Sequence, residues 1–244
     1  PVCPTSYGDS PYQSFSSFAG NPYFIDLDYL CMDGLLKKEE CDAYQWGDDE
    51  TQVDYGILYE NRYELLKKAF VRFKADEPED FKAFCEEEQE WLDNYAMFMA
   101  LKDANNGAAW FTWEKDLKFR KAEALEKVKE EKKDDIAFWK MLQYLFYKQW
   151  RELKDYANVR GIQIIGDVPI YVAGDSADVW ANPDQFYLNE DLEMIVVAGC
   201  PPDAFSEDGQ LWGNPLFRWD TMKKDGYPWW TQRIKAMSEL YDVV

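Results

Sequence analysis

Apolar and polar positions along the chain change texture three times. Residues 1–25 show no periodicity: Pro1, Pro4, Gly8, Pro11, Gly20 and Pro22 punctuate a Ser/Tyr/Phe-rich run, which reads as loop. Phe24-Ile25-Asp26-Leu27 suits either a short strand or a helix entry. From about 33 to 160 the spacing is helical. Leu65, Ala69 and Phe73 repeat at i+4, and Phe81, Cys85, Glu88, Leu92, Tyr95 and Met99 trace one helical face, with Pro78 suited to its first turn. Asn105-Asn106-Gly107 interrupts the pattern. Residues 114–135 predict a charged helix, with Glu123 and Lys127 at i, i+4. It continues into a core stripe of Trp139, Leu142, Phe146, Trp150 and Leu153.

Gly161 predicts the end of that helix. Ile162–Ile165 then reads as a short buried strand, and 167–220 as a long loop region rich in aromatics. Tyr227 to Leu240 is amphipathic and helical, and Tyr241-Asp242-Val243-Val244 begins another strand. Helix, strand, loop, helix, strand is a βα order, suited to a parallel sheet or barrel. There is no internal repeat, no GxGxxG and no P-loop.

The chain has 244 residues, 47% of them hydrophobic and 17% aromatic, ample for a packed core. Its 11 Trp, 16 Tyr and 15 Phe leave two uses open, core packing or stacking against the C–H faces of sugars. A net charge of −20 argues against nucleic acid, anionic membranes and acidic substrates. It is compatible with a neutral polar ligand, and equally with plain solubility. Five cysteines without a CxxC pair, and no Asn-x-Ser/Thr acceptor, suggest reduced thiols in a cytoplasm. No long apolar run predicts a membrane span, and none of the given residues reads as a signal peptide. The chain starts at Pro1 without an initiating Met, as a piece of a longer enzyme would.

Histidine is absent, which excludes Ser-His-Asp and Cys-His systems and HExxH metal sites within the chain. Acid-base chemistry here falls to carboxylates, Tyr, Lys or Cys. No metal and no organic cofactor is expected; the acidic run Gly47-Asp48-Asp49-Glu50 lacks calcium-loop spacing and reads as an exposed turn. The candidate chemistry gathers in Gly166 to Val172, Asp175 to Trp180 and Gly199 to Asp203. A short apolar run there ends in a carboxylate and opens into acids, rings, glycines and prolines. That suits a polar-ligand site at the carboxyl end of a buried strand.

These stretches, together with Pro4 to Ser14, Ala19 to Pro22, Gln143 to Phe146, Asp175 to Pro183 and Val197 to Leu216, strongly resemble the 4-alpha-glucanotransferase (amylomaltase, disproportionating enzyme) family. The resemblance runs through essentially the whole chain but covers only part of the family's length. It implies an α/β fold: a partial (β/α)8 TIM barrel with a large helical insertion, helix-rich overall. Residues 1–32 would be a barrel segment with an active-site loop, 33–160 the insertion, and 161–244 a barrel strand, a glucan-binding loop region and a helix. The implied reaction cuts an α-1,4 bond of a malto-oligosaccharide and passes the glucan to another sugar's 4-hydroxyl with retention. Retention needs two carboxyl groups about 5–5.5 Å apart.

The resemblance also implies a gap. The family's nucleophile Asp follows the strand beginning at Tyr241, and its acid/base Glu and third Asp come later. This chain is therefore expected to hold binding surface without the principal carboxylates, and to be inactive alone. Asp167 matches a supporting acid at a barrel strand end, against a plain turn Asp. Tyr12 matches an active-site ring; read without the resemblance it suits the core. Ser10 and Gln13 flank it as sugar contacts or turn residues. Pro201 to Gln210 matches a loop that closes over glucan, offering Asp203, Phe205, Ser206 and Gln210. Trp212 and Asn214 follow as donor-side contacts, with core packing the alternative for Trp212. Tyr7, with Tyr55 as its partner, matches a secondary glucan site. Asp178 and Trp180 are expected to structure the loop. Two further readings stay open: a glucan-binding fragment without catalysis, and a helical interaction module over 57–160. The expected partner is a malto-oligosaccharide, with no nucleic acid and no membrane, and with self-association through exposed barrel edges.

Overall fold

The computed structural model describes residues 1–49 and 51–244, together with all side chains in that range except that of Tyr7. The N-terminal loop carries 3-10 turns at Tyr7–Asp9 and Pro22–Phe24. Asp26 then caps a helix, its Oδ1 accepting from the Asp28 and Tyr29 amides at 2.8 and 3.2 Å. This decides between the two readings of residues 24–27 in favour of a helix entry, α1 (Leu27–Met32).

The helical region expected over 33–160 consists of α2 (Lys38–Asp42), α3 (Tyr55–Ala75), α4 (Glu79–Glu87), α5 (Gln89–Ala104), α6 (Lys115–Lys118), α7 (Ala122–Glu131) and α8 (Lys133–Asn158). Pro78 sits at the N-cap of α4. The apolar face from Phe81 to Met99 is shared by two helices, because the chain leaves helical geometry at Glu88. The single charged helix expected over 114–135 is also broken. Arg120 takes a left-handed conformation (φ 52°), which brings its guanidinium 4.2 Å above the Trp180 ring and within 2.7 Å of Asn94 Oδ1. A second break falls at Lys132.

Helix α8 is the spine. Phe138, Trp139, Met141, Leu142 and Tyr144 to Tyr147 are all buried, packed against α3, α4, α5 and α7. The predicted stripe holds through Phe146; Trp150 is half-buried and Leu153 is exposed, because the helix emerges into solvent toward Asn158. Gln143 is wholly buried and bonded at both ends of its amide: its Oε1 accepts from the Gly20 amide (2.7 Å) and its Nε2 donates to the Gly20 carbonyl (3.0 Å). Tyr147 donates to the Phe18 carbonyl at 2.6 Å, and Arg62 of α3 donates to the carbonyls of Pro22 and Ile25. These bonds pin the N-terminal loop across the helices.

Residues 162–165 are extended, yet Ile165 is 76% exposed, so the expected burial is not met. Parallel pairing is present as one bridge, Ile165 to Val243, with the Asp242 amide donating to Ile164 O at 2.9 Å and Gly166 to Val243 O at 2.7 Å. Parallel strands are buried by cover on both faces. Here α8 packs on Tyr241 through Trp150 (centroids 6.3 Å apart), and no further described strand extends the pair.

The region expected to be loop over 167–220 holds more structure than its pattern suggested. It contains α9 (Ala177–Ala181), an antiparallel hairpin of β1 (Val197–Cys200) and β2 (Gln210–Pro215), and α10 (Trp219–Lys224). Strand β2 reads Gln-Leu-Trp-Gly-Asn-Pro and is mostly exposed, so no alternation marks it. The turn back into β2 uses Gly209 at φ 75°, where an added Cβ would lie 2.5 Å from Cys200 O. Helix α11 (Pro228–Leu240) fits its predicted span. Most large aromatics, including Trp110, Trp180, Phe186 and Phe217, belong to one connected hydrophobic core. No described helix is long and apolar enough to cross a membrane.

Candidate functional site

The N-terminal loop, the segment after Gly166 and strand β2 converge on an open cleft of about 550 Å³. Its lining joins Ser10, Tyr12, Gln13, Asp167, Trp212 and Asn214 with Val168, Pro169, Ile170 and Tyr171. The Tyr12 hydroxyl donates to Asp167 Oδ2 at 2.9 Å, and this hydrogen bond is the first cause of the raised Tyr12 pKa. Tyr12 is 55% exposed, so the core alternative fails for it. Ser10 Oγ accepts weakly from the Tyr12 amide (3.3 Å), which makes Ser10 a turn residue as well as a wall residue. Gln13 Nε2 reaches Asn214 Oδ1 at 3.5 Å. Asn214 is itself buried and donates to Val172 O at 2.8 Å, fixing β2 to the segment after Asp167.

Trp212 is 44% exposed and not core-packed. Its Nε1 donates to Gln210 Oε1 at 3.0 Å, and its ring lies 6.1 Å from that of Tyr171. Tyr171 was not singled out from the sequence, although it belongs to the Gly166 to Val172 motif. Its signal was an aromatic in a segment with no helical or strand period to bury it. Together the cleft offers three rings, neutral hydroxyl and amide groups, and one carboxylate. That chemistry suits a neutral polyhydroxylated ligand, which stacks apolar faces on rings and exchanges hydrogen bonds at its edges.

The other expected sugar contacts lie elsewhere, at the tip of the β1–β2 hairpin. Asp203 Oδ1 accepts from the amides of Phe205 (2.8 Å) and Ser206 (2.9 Å), and Ser206 Oγ donates to Gly209 O at 2.6 Å. Asp203 and Ser206 thus hold the tip together, while Phe205 stands 93% exposed. Asp203, Phe205, Ser206 and Gln210 do not line the cleft. Tyr55 is exposed beside Tyr23, centroids 6.3 Å apart; the side chain of Tyr7 lies outside the described residues.

Behind the cleft the acids are structural. Asp178 is buried and accepts from the Ser17 amide at 2.7 Å. Burial pushes its pKa up to about 6, opposed by that amide and by the charge of Arg233. Trp180 is buried, its Nε1 donating to Leu117 O at 3.0 Å. Asp175 pairs with the buried Lys102 at 2.6 Å and accepts from the Trp110 amide at 3.1 Å. Among the described residues no group of three His, Cys, Asp or Glu side chains is arranged to hold a metal ion.

Three comparisons bear on this geometry. The family model described as 4-alpha-glucanotransferase matches residues 1–244. A 4-alpha-glucanotransferase of Clostridium butyricum is 53% identical over 245 residues, covering 100% of this chain and 50% of the relative. One from Thermus thermophilus is 48% identical over 248 residues, covering 100% and 49%. Among solved structures, the amylomaltase from Streptococcus agalactiae in complex with acarbose superposes with a TM-score of 0.96 at 43% identity, over 99% of this chain and 49% of that one. The amylomaltase from Corynebacterium glutamicum, at 18% identity and a TM-score of 0.70, covers 99% of this chain and 33% of its own, and speaks for the fold alone. This chain therefore spans about half the length of the relatives it matches. With the whole of its sequence matched, the chain belongs to the 4-alpha-glucanotransferase family.

Proposed function

We propose that this chain supplies a glucan-binding face of a 4-alpha-glucanotransferase, and that the paired carboxylates of the retaining reaction are not among its residues. One observation carries the reading: among the described residues lining the cleft, Asp167 is the sole carboxylate. A retaining glycosyl transfer needs a nucleophile and an acid/base about 5–5.5 Å apart. Tyr12, Tyr171 and Trp212 would stack on glucose rings, Ser10, Gln13 and Asn214 would meet hydroxyls, and Asp167, oriented by Tyr12, would accept from the bound sugar. The hairpin tip with Asp203, Phe205, Ser206 and Gln210 would close over a longer glucan, and Tyr7 with Tyr55 would hold a remote glucan segment.

The same reading makes residues 1–32 and 161–244 pieces of a (β/α)8 barrel and 33–160 its helical insertion. The parallel bridge between Ile165 and Val243 supports it. The exposed apolar edge of Ile162, Ile165, Val243 and Val244 supports self-association of the chain when it is alone. Five free thiols support a reducing compartment such as the cytoplasm.

The test is glucose release from maltotriose by the 244-residue chain, with the same sequence extended to the relatives' length assayed beside it. The expected result is release by the extended protein only. Release by the 244-residue chain would mean that carboxylates inside it form a working pair, and would overturn the proposal.

A further inference from the structure

Ten residues apart in sequence, the sulfurs of Cys31 and Cys41 lie 3.7 Å from each other, and both thiols are free. Cys31 sits on the last turn of α1 and is half-buried; Cys41 lies in α2 and is buried. No other two cysteine sulfurs among the described residues come within hydrogen-bonding reach.

The approach is held from several sides. Lys38 of α2 reaches back to Asp28 of α1 at 3.1 Å and along its own helix to Asp42 at 3.5 Å. Arg72 of α3 donates to the Leu35 carbonyl between the two helices, and with both outer nitrogens to the Glu40 carboxylate, each bond 2.8 Å. The linker and α2 are therefore anchored to the same helix, and the thiols face each other without waiting for a chance encounter. A disulfide needs an S–S distance of about 2.05 Å. Side-chain rotation can supply the difference while the helices stay in place.

We propose that Cys31 and Cys41 are a redox-active dithiol, which a low-molecular-weight disulfide of the glutathione class oxidises to an intramolecular disulfide. The accessible Cys31 thiolate attacks one sulfur of the small disulfide, forming a mixed disulfide and releasing one small thiol. Cys41 Sγ, after losing its proton to solvent, attacks Cys31 Sγ and releases the second small thiol. The two protein thiols lose two electrons and two protons, and the oxidant is reduced to two thiols. Cys41 is buried, which raises its thiol pKa, while Cys31 is half-buried and reachable from solvent, so Cys31 is the attacking thiol and Cys41 the resolving one. The second step is intramolecular and outruns accumulation of the mixed disulfide.

The test equilibrates the chain in buffers of varied reduced-to-oxidised glutathione ratio, alkylates the remaining thiols, and maps peptides by mass spectrometry. The expected product is a Cys31–Cys41 cross-link two hydrogens lighter, with three of the five thiols still alkylated. In Cys41→Ser, Cys31 should instead retain one glutathione. Five alkylated thiols across all ratios, a persistent mixed disulfide at Cys31 in the unmodified sequence, or a cross-link to another cysteine would each overturn the proposal. The mapping of the unmodified sequence stands even where the serine variant fails to fold.

Discussion

The Tyr12 phenol donates to Asp167 Oδ2 at 2.9 Å across 155 residues of sequence. The bond joins the N-terminal loop to the segment after Gly166, two of the parts of the chain that line the cleft. Tyr12→Phe removes it while keeping the ring. A hydrogen bond to a carboxylate at an exposed site contributes about 1 kcal/mol, so maltoheptaose affinity should fall about fivefold, with Tm lowered by no more than about 2–4 °C. Calorimetric titration beside a melting curve checks this; a large loss of Tm would make the bond structural and not a preorganising one.

Gly20 is where the helices accept the N-terminal loop. An added Cβ there would lie 1.9 Å from the buried ring of Phe146, on the helix whose Gln143 already bonds both backbone groups of Gly20. Gly20→Ala should cost about 2–3 kcal/mol by overpacking. It should also weaken glucan binding, because the displaced loop carries Tyr12. Urea denaturation and a binding titration on the same preparation test both effects.

Lys102 is a buried cation matched by Asp175 at 2.6 Å and by the carbonyls of Gly107 (2.7 Å) and Ala108 (3.3 Å). Lys102→Ala leaves the Asp175 carboxylate without its charge partner and should destabilise by about 3 kcal/mol. Adding Asp175→Asn should recover part of that loss. Additive losses in the double variant would show that the pair is not coupled.

Asp178 gives a pH signature of fixed sign. Its folded-state pKa of about 6 exceeds the ordinary 3.8, so between those values the native state holds the extra proton. The contribution of this group to stability therefore falls as pH rises from about 4 to about 6, and is level above that. The original sequence should lose urea resistance relative to Asp178→Asn over that window. Parallel curves would contradict the assignment.

Gly20 and Gln143 also show what could be read in the sequence. Both fall in stretches singled out by family resemblance, 123 residues apart, and their contact explains why those stretches go together. Helical period located α3, α8 and α11, since each buries a long face. It missed the breaks at Glu88, Arg120 and Lys132, because tertiary contacts such as Arg120 over Trp180 set them. The β1–β2 hairpin was hidden because β2 buries little and so shows no alternation. At the cleft, the motifs located Tyr12, Asp167 and Trp212. They did not separate that wall from the hairpin tip, since Asp203 and Ser206 are occupied with backbone groups only the folded turn brings near.

Binding of maltoheptaose, followed by tryptophan fluorescence in the original chain and in Trp212→Phe, tests most directly whether the cleft is a glucan site. Trp212 is exposed, so its replacement leaves the core intact. The expected result is saturable quenching in the original chain, with affinity reduced about tenfold and most of the signal lost in the variant. Equal quenching and equal affinity in both would place glucan away from the cleft formed by Tyr12, Asp167 and Trp212.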